Sequence, residues 1–123
     1  MCYKCKQTIL QYTHVGDKLE TARGKPFTIT NIQDGKIHIE TSVGAHRWFH
    51  LEHVSLCLHW IIVDRKAIEG VGSNKKNSIR GLVGVNGILV QCQICERNPA
   101  YIWGILATLP QVKRKGENKL VYQ

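Results

Sequence analysis

The chain has 123 residues, 43% of them hydrophobic, which is enough apolar content for a buried core and too much for a disordered chain. A formal charge of +8 and a pI near 9.5 favour polyanionic partners such as nucleic acid over acidic ones. No run approaches the roughly 18 apolar residues of a membrane span, so no membrane partner is expected.

The charge is uneven. Met1 to Asp64 holds seven Lys/Arg against six Asp/Glu, whereas Arg65 to Gln123 holds ten against three. The polyanion expectation therefore attaches to the second half. Five cysteines is an odd number, and Cys2, Lys4, Cys5 and Lys6 open the chain with no apolar signal core behind them. Reduced thiols or metal ligands in a cytoplasmic protein are expected rather than disulfides.

In chain order, Cys2-Tyr3-Lys4-Cys5 is a CxxC, which can give two thiolates to one tetrahedral zinc and is half a site by itself. Thr8 to Val15 fits a strand or a short helix equally well. Phe27, Ile29 and Ile32 after Pro26 read as a strand, and Asp34-Gly35 supplies the positive φ of a tight hairpin turn. Ile37 and Ile39 alternate with Lys36, His38 and Glu40; Ser42 to Ala45 is a second turn; Arg47 to His50 is a third strand carrying Trp48 and Phe49. A three-stranded antiparallel meander follows. Leu51 to Lys66 has helical spacing at Leu51, Val54, Leu58 and Ile61, and would cover the open face of that meander.

Glu69 to Gly87 is polar and glycine-rich, with one helical turn over Ser78 to Val83. Ile88 to Cys95 is read as a short apolar helix, and Glu96-Arg97-Asn98 as a turn. Asn98 before Pro99 marks a second helix start, with Asn98 as the cap, and Ile102, Ile105, Leu106 and Leu109 recur at helical spacing up to Pro110. Val112 and Leu120 to Tyr122 flank a basic tip, so a β-hairpin closes the chain.

Two helices about a tight joint followed by a basic hairpin resemble the winged helix-turn-helix DNA-binding domains over the last forty residues or so. The fold class is thus α+β. Residues 1–66 form a meander plus helix, and residues 67–123 a winged-helix-like basic unit, the two packing as one compact domain. The resemblance implies a recognition helix from Asn98 to Leu109, with Arg97, Asn98 and Tyr101 near bases or phosphates, and a wing in which Lys113, Arg114, Lys115 and Lys119 touch phosphates. Lys75, Lys76 and Arg80 would extend that surface.

The expected function is non-enzymatic binding of nucleic acid, duplex DNA before RNA. It would serve as a regulator or as a module that targets a separate enzyme, alone, as a homodimer or with a protein partner. Zinc is the one cofactor suggested, held by Cys2, Cys5, Cys92 and Cys95 if the two CxxC pairs meet. His50, His53 and Cys57 share one helical face and form a second donor set, beside an apolar stripe where a partly buried His is also ordinary. No catalytic residues are identified: Glu40, Glu52 and Asp64 are isolated acids, and Gly70-Val71-Gly72 lacks the third glycine of a dinucleotide turn. Two rival readings stand beside this one. The first is a protein–protein adaptor using the meander edge and the Trp48-Phe49 pair. The second is a small metal-dependent nuclease using the histidines between 46 and 59.

Overall fold

A computed structural model describes residues 3–72 and 75–123, leaving the side chain of Tyr3 undescribed. The architecture is mixed α+β. Helix α1 (Tyr3–Tyr12) leads into a four-stranded antiparallel sheet of β1 (Lys18–Glu20), β2 (Pro26–Gln33), β3 (Lys36–Thr41) and β4 (His46–His50), in sequential order. The meander therefore gains a fourth strand, β1, whose single apolar residue, Leu19, was too weak a signal to read. Asp34 and Gly35 take φ values of 54° and 73°, so the expected two-residue turn links Gln33 to Lys36. The register shifts between Ile29 and Asn31. This bulge absorbs one residue and puts Ile32 opposite Ile37, which explains why the apolar spacing in β2 runs 27, 29, 32.

Phe27, Ile29, Ile37, Ile39 and Phe49 form the inner face, all essentially fully buried. Phe49 and Trp48 are neighbours on one strand and so point to opposite faces. Phe49 has no exposed surface, so the Trp48-Phe49 pair cannot form a joint contact surface, and the adaptor reading loses its aromatic patch. Helix α2 (Leu51–Ile62) starts directly at the end of β4 and stops at the β-branched residues expected to end it, short of Lys66. It packs against α1, β4 and the elements that follow, and buries residues on more than one side, including Ser55 and Trp60. It is the central helix of the core.

The second half runs β5 (Ile68–Glu69), α3 (Ile79–Val83), α4 (Gln93–Arg97), α5 (Pro99–Leu106), β6 (Val112–Lys115) and β7 (Lys119–Tyr122). Its sheet has the order β5-β7-β6. One strand, three short helices and a returning hairpin paired to that strand make up this half, so the hairpin expected to close the chain is present. Ser78 caps α3, its hydroxyl accepting from the Gly81 N–H at 3.0 Å.

The segment from Ile88 to Cys95 departs from expectation: only Gln93 to Arg97 is helical. The N–H groups of Ile88, Leu89, Val90 and Cys92 instead bond the carbonyls of Gly81, Leu82, Leu82 and Gly84 at 2.8–3.2 Å. Those donors are spent on the end of α3 and cannot build a helix of their own. Glu96 and Arg97 lie inside α4, so the joint between α4 and α5 is the single residue Asn98 rather than three. Asn98 sits at the cap position but makes no cap bond; its amide donates to Ile94 O at 2.8 Å and Trp48 O at 3.2 Å, tying the two halves together.

Helix α5 is a core helix. Ile102, Trp103, Gly104, Ile105 and Leu106 are buried in succession, which uses up every side of the helix. It packs on β1 and α3, Phe27 meets Tyr101 edge-on at 5.2 Å, and the Trp103 indole N–H donates to Asn118 O at 2.8 Å across to the hairpin. The first sheet occupies the side that a recognition helix would offer to a groove. One apolar cluster runs through both halves.

Candidate functional site

Two regions gather polar chemistry. The first is a basic cleft at the start of α5, with a volume of about 590 Å³. Arg23 and Lys25 reach it from the β1–β2 turn, Lys75 from the loop after β5, Glu69 from β5 and Glu117 from the hairpin turn, while Pro99, Ala100 and Tyr101 form one wall. The first turn of a helix carries a partial positive charge, so α5 adds to the field of the three cations. Lys75 also borders a second hollow with Lys76 and Arg80, so the basic surface continues past the cleft.

The hairpin adjoins the cleft through Glu117 and Asn118. Residues opposite each other in an antiparallel pair share a face, and register sets Lys115 opposite Lys119 and Lys113 opposite Val121. Lys113, Lys115 and Lys119 therefore lie together on the outer face of the second sheet. Lys119 is 3.7 Å from Glu69 and partly neutralised, whereas Lys113 and Lys115 form no ion pair among the described residues.

Arg114 points the other way. Its guanidinium lies 5.0 Å from the Trp103 ring centroid and donates to Ala22 O at 2.8 Å and to Glu117 O. It is a strut between the hairpin and the first sheet. Arg80 is likewise engaged, 3.2 Å from Glu96, whose other oxygen accepts from Val85 N at 3.1 Å. Of the residues expected to bind nucleic acid, Lys75, Lys76, Lys113 and Lys115 are exposed cations, Arg97 is exposed on α4, and Tyr101 is half-buried in the cleft wall. Asn98 is 4% exposed and spent on two carbonyls, so it has no face for a base. Arg23 and Lys25 were missed because they belong to the half with almost no net charge; only the docking of α5 on β1 brings them to the second half.

The second region is a donor cluster. His50 ends β4, His53 lies in the first turn of α2, and Cys92 and Cys95 flank the start of α4. One ligand atom each from His50, His53 and Cys92 lie within 4.8 Å of one another, a grouping that could hold a metal ion. Cys95 Sγ is 2.8 Å from His53 Nδ1, and the Cys95 N–H donates to Cys92 Sγ at 3.3 Å. Burial, with some help from the nearby Cys92 thiol, pushes the Cys95 thiol well above its ordinary range, while a backbone hydrogen bond from His50 works in the opposite direction. Burial and the neighbouring His50 hold His53 below the usual histidine value. Cys57 is fully buried beneath the cluster, and burial pushes its thiol up to about 12.

The two donor sets read from the sequence are thus each divided. The structure joins the CxxC at 92–95 to the histidines at 50 and 53. Cys5 is buried in α1 and disulfide-bonded, which corrects the expectation of a reduced thiol or metal ligand at that position, and Cys2 lies outside the described residues. Of the histidines between 46 and 59 in the nuclease reading, only His50 and His53 come together, while His59 lies 3.9 Å from Asp64. His46 is paired with His38 at 3.1 Å on the outer face of the first sheet, four strand residues and so about 13 Å along from His50. No helix among the described residues is long and apolar enough to cross a membrane. Comparison of the chain with protein-family models, with curated proteins and with solved structures returns no match.

Proposed function

We propose that the chain is a non-enzymatic nucleic-acid-binding module that grips phosphates with the basic cleft and the outer face of the hairpin, with duplex DNA as the first partner to test and RNA as the second. The observation that carries this reading is the cleft itself: Arg23 and Lys25 from one half converge with Lys75 from the other at the N-terminal end of α5, and the hairpin whose tip borders the cleft carries the exposed cations Lys113 and Lys115. Ammonium and guanidinium groups from separate elements, set around a groove rather than along a single loop, suit a chain of phosphates. Helix α5 lies beneath this surface as its support and does not enter a groove. Contacts made by lysines to phosphate give affinity with little sequence reading, which suits a module that positions another activity on nucleic acid.

The test is a titration of a short labelled duplex between about 50 and about 200 mM salt, the range over which a protein with several phosphate contacts loses orders of magnitude in affinity. Replacing Lys113 and Lys115 by Ala removes two such contacts and should lower the slope of log K against log salt by about 1.8. Arg23→Ala with Lys25→Ala should act in the same way. No duplex or RNA binding at low salt, or a slope unmoved by both pairs, refutes the reading.

A further inference from the structure

We infer that His50, His53, Cys92 and Cys95 bind one zinc ion as a closed, tetrahedral, structural site that fastens the first sheet and α2 to the start of α4. This goes beyond nucleic-acid binding and does not depend on it. Two nitrogen and two sulfur donors make the set that zinc takes in structural sites. Zn–N and Zn–S lengths of about 2.0–2.1 and 2.3 Å put tetrahedral ligand atoms roughly 3.3–3.8 Å apart. The observed spacings bracket that range: 2.8 Å between His53 Nδ1 and Cys95 Sγ, and up to 4.8 Å within the group of His50, His53 and Cys92. The Cys95 sulfur lies outside the group of three and is tied to it through its contact with His53 Nδ1.

Three further features fit the same assignment. The Cys92–Cys95 pair is presented at a helix start, with the Cys95 N–H directed at the Cys92 sulfur at 3.3 Å and the Cys95 sulfur against the His53 ring. His50 occupies the cap position of α2 and makes no cap bond, at a position where Ser, Thr, Asp or Asn would stabilise the helix. The ligands also come in two short-range pairs, His-x-x-His and Cys-x-x-Cys, from chain segments about forty residues apart. Four protein ligands leave no open position for water, so the site is structural and not hydrolytic. Its close spacing suits one ion and not a two-metal cluster.

The experiment is metal analysis of the full chain after dialysis, followed by replacement of zinc with cobalt(II) and visible and near-ultraviolet absorption. One zinc per chain is expected, with tetrahedral cobalt bands and thiolate-to-cobalt charge transfer that added zinc abolishes. Cys92→Ser and His53→Ala should lose both signals. Cys2→Ser and Cys57→Ala should keep the wild-type spectrum. His53→Cys guards against a variant that merely fails to fold: it should still bind cobalt and raise the charge-transfer absorption by about half, as a third thiolate joins two. The proposal is overturned by any one of four results. These are no zinc and no cobalt bands in the wild type, iron in place of zinc, loss of the bands in Cys2→Ser or Cys57→Ala, or a charge-transfer intensity that His53→Cys leaves unchanged.

Discussion

Replacing Gly104 by Ala separates a core helix from a groove-reading one. A Cβ at this position would lie 2.7 Å from Glu20 O and 2.7 and 2.8 Å from the Phe27 ring atoms Cε1 and Cζ. Ordinary carbon contacts begin near 3.5 Å, so α5 or its neighbours must retreat by about 0.8 Å. Neither neighbour yields easily: Glu20 is held in β1 by its pairing with β2, and Phe27 is 2% exposed within the core. Overpacking of this kind costs about 1–3 kcal/mol. Against it stands the helix preference for Ala over Gly, worth about 0.5–1 kcal/mol. The net expectation is a loss on the order of 1–2 kcal/mol, a fall in Tm of roughly 3–8 °C for a chain of this length. Urea denaturation and thermal melts read it directly. Shortening Phe27 to Leu in the same background should recover part of the loss, giving a favourable coupling of about 0.5 kcal/mol or more. An unchanged or raised Tm for Gly104→Ala would refute the docking of α5 on β1, and would return α5 to the solvent as a helix free to enter a groove.

Other outcomes follow from individual contacts. Arg114→Ala should lower stability by about 1 kcal/mol through lost hydrogen bonds and its stacking on Trp103, while leaving the salt slope of DNA binding where it was; a full phosphate-contact change in that slope would make Arg114 a ligand residue and not a strut. Asn98→Ala should cost about 1–3 kcal/mol, because two buried carbonyls lose their donor, and Asn98→Asp, which presents no N–H, should cost at least as much by urea denaturation. If the zinc assignment holds, stripping metal with a chelator should lower Tm and adding zinc should restore it, since ion binding to the folded state alone is folding free energy.

The strongly patterned elements were legible from residue order. The Asp34-Gly35 turn, the alternation in β3, the stripe of α2, the helical turn over Ser78 to Val83 and the closing hairpin each depend on neighbours a few positions apart, and local sterics and hydrogen bonding fix them. The concentration of positive charge in the second half was equally plain. Short or competing signals misled. The segment 88–92 is apolar enough for a helix, but its N–H groups go to α3 carbonyls that no local pattern reveals. Strand β1 has one apolar residue and exists because β2 offers it an edge. Asn98-Pro99 correctly announced a helix start, yet the Asn side chain turned to Trp48, fifty residues away.

The two candidate sites belong to the tertiary structure. Residue types and spacings named the ingredients: two basic runs, a His-x-x-His and a Cys-x-x-Cys. They could not say that Arg23 and Lys25 face Lys75, that Arg114 folds inward onto Trp103, or that the Cys92 pair meets the histidines. Sequence determines which groups carry charge or can bind a metal, because that is covalent chemistry. Which of them share a few ångströms of space is decided by how α2 and α5 bury their apolar sides against both sheets, a balance of packing over the whole chain that no short stretch contains.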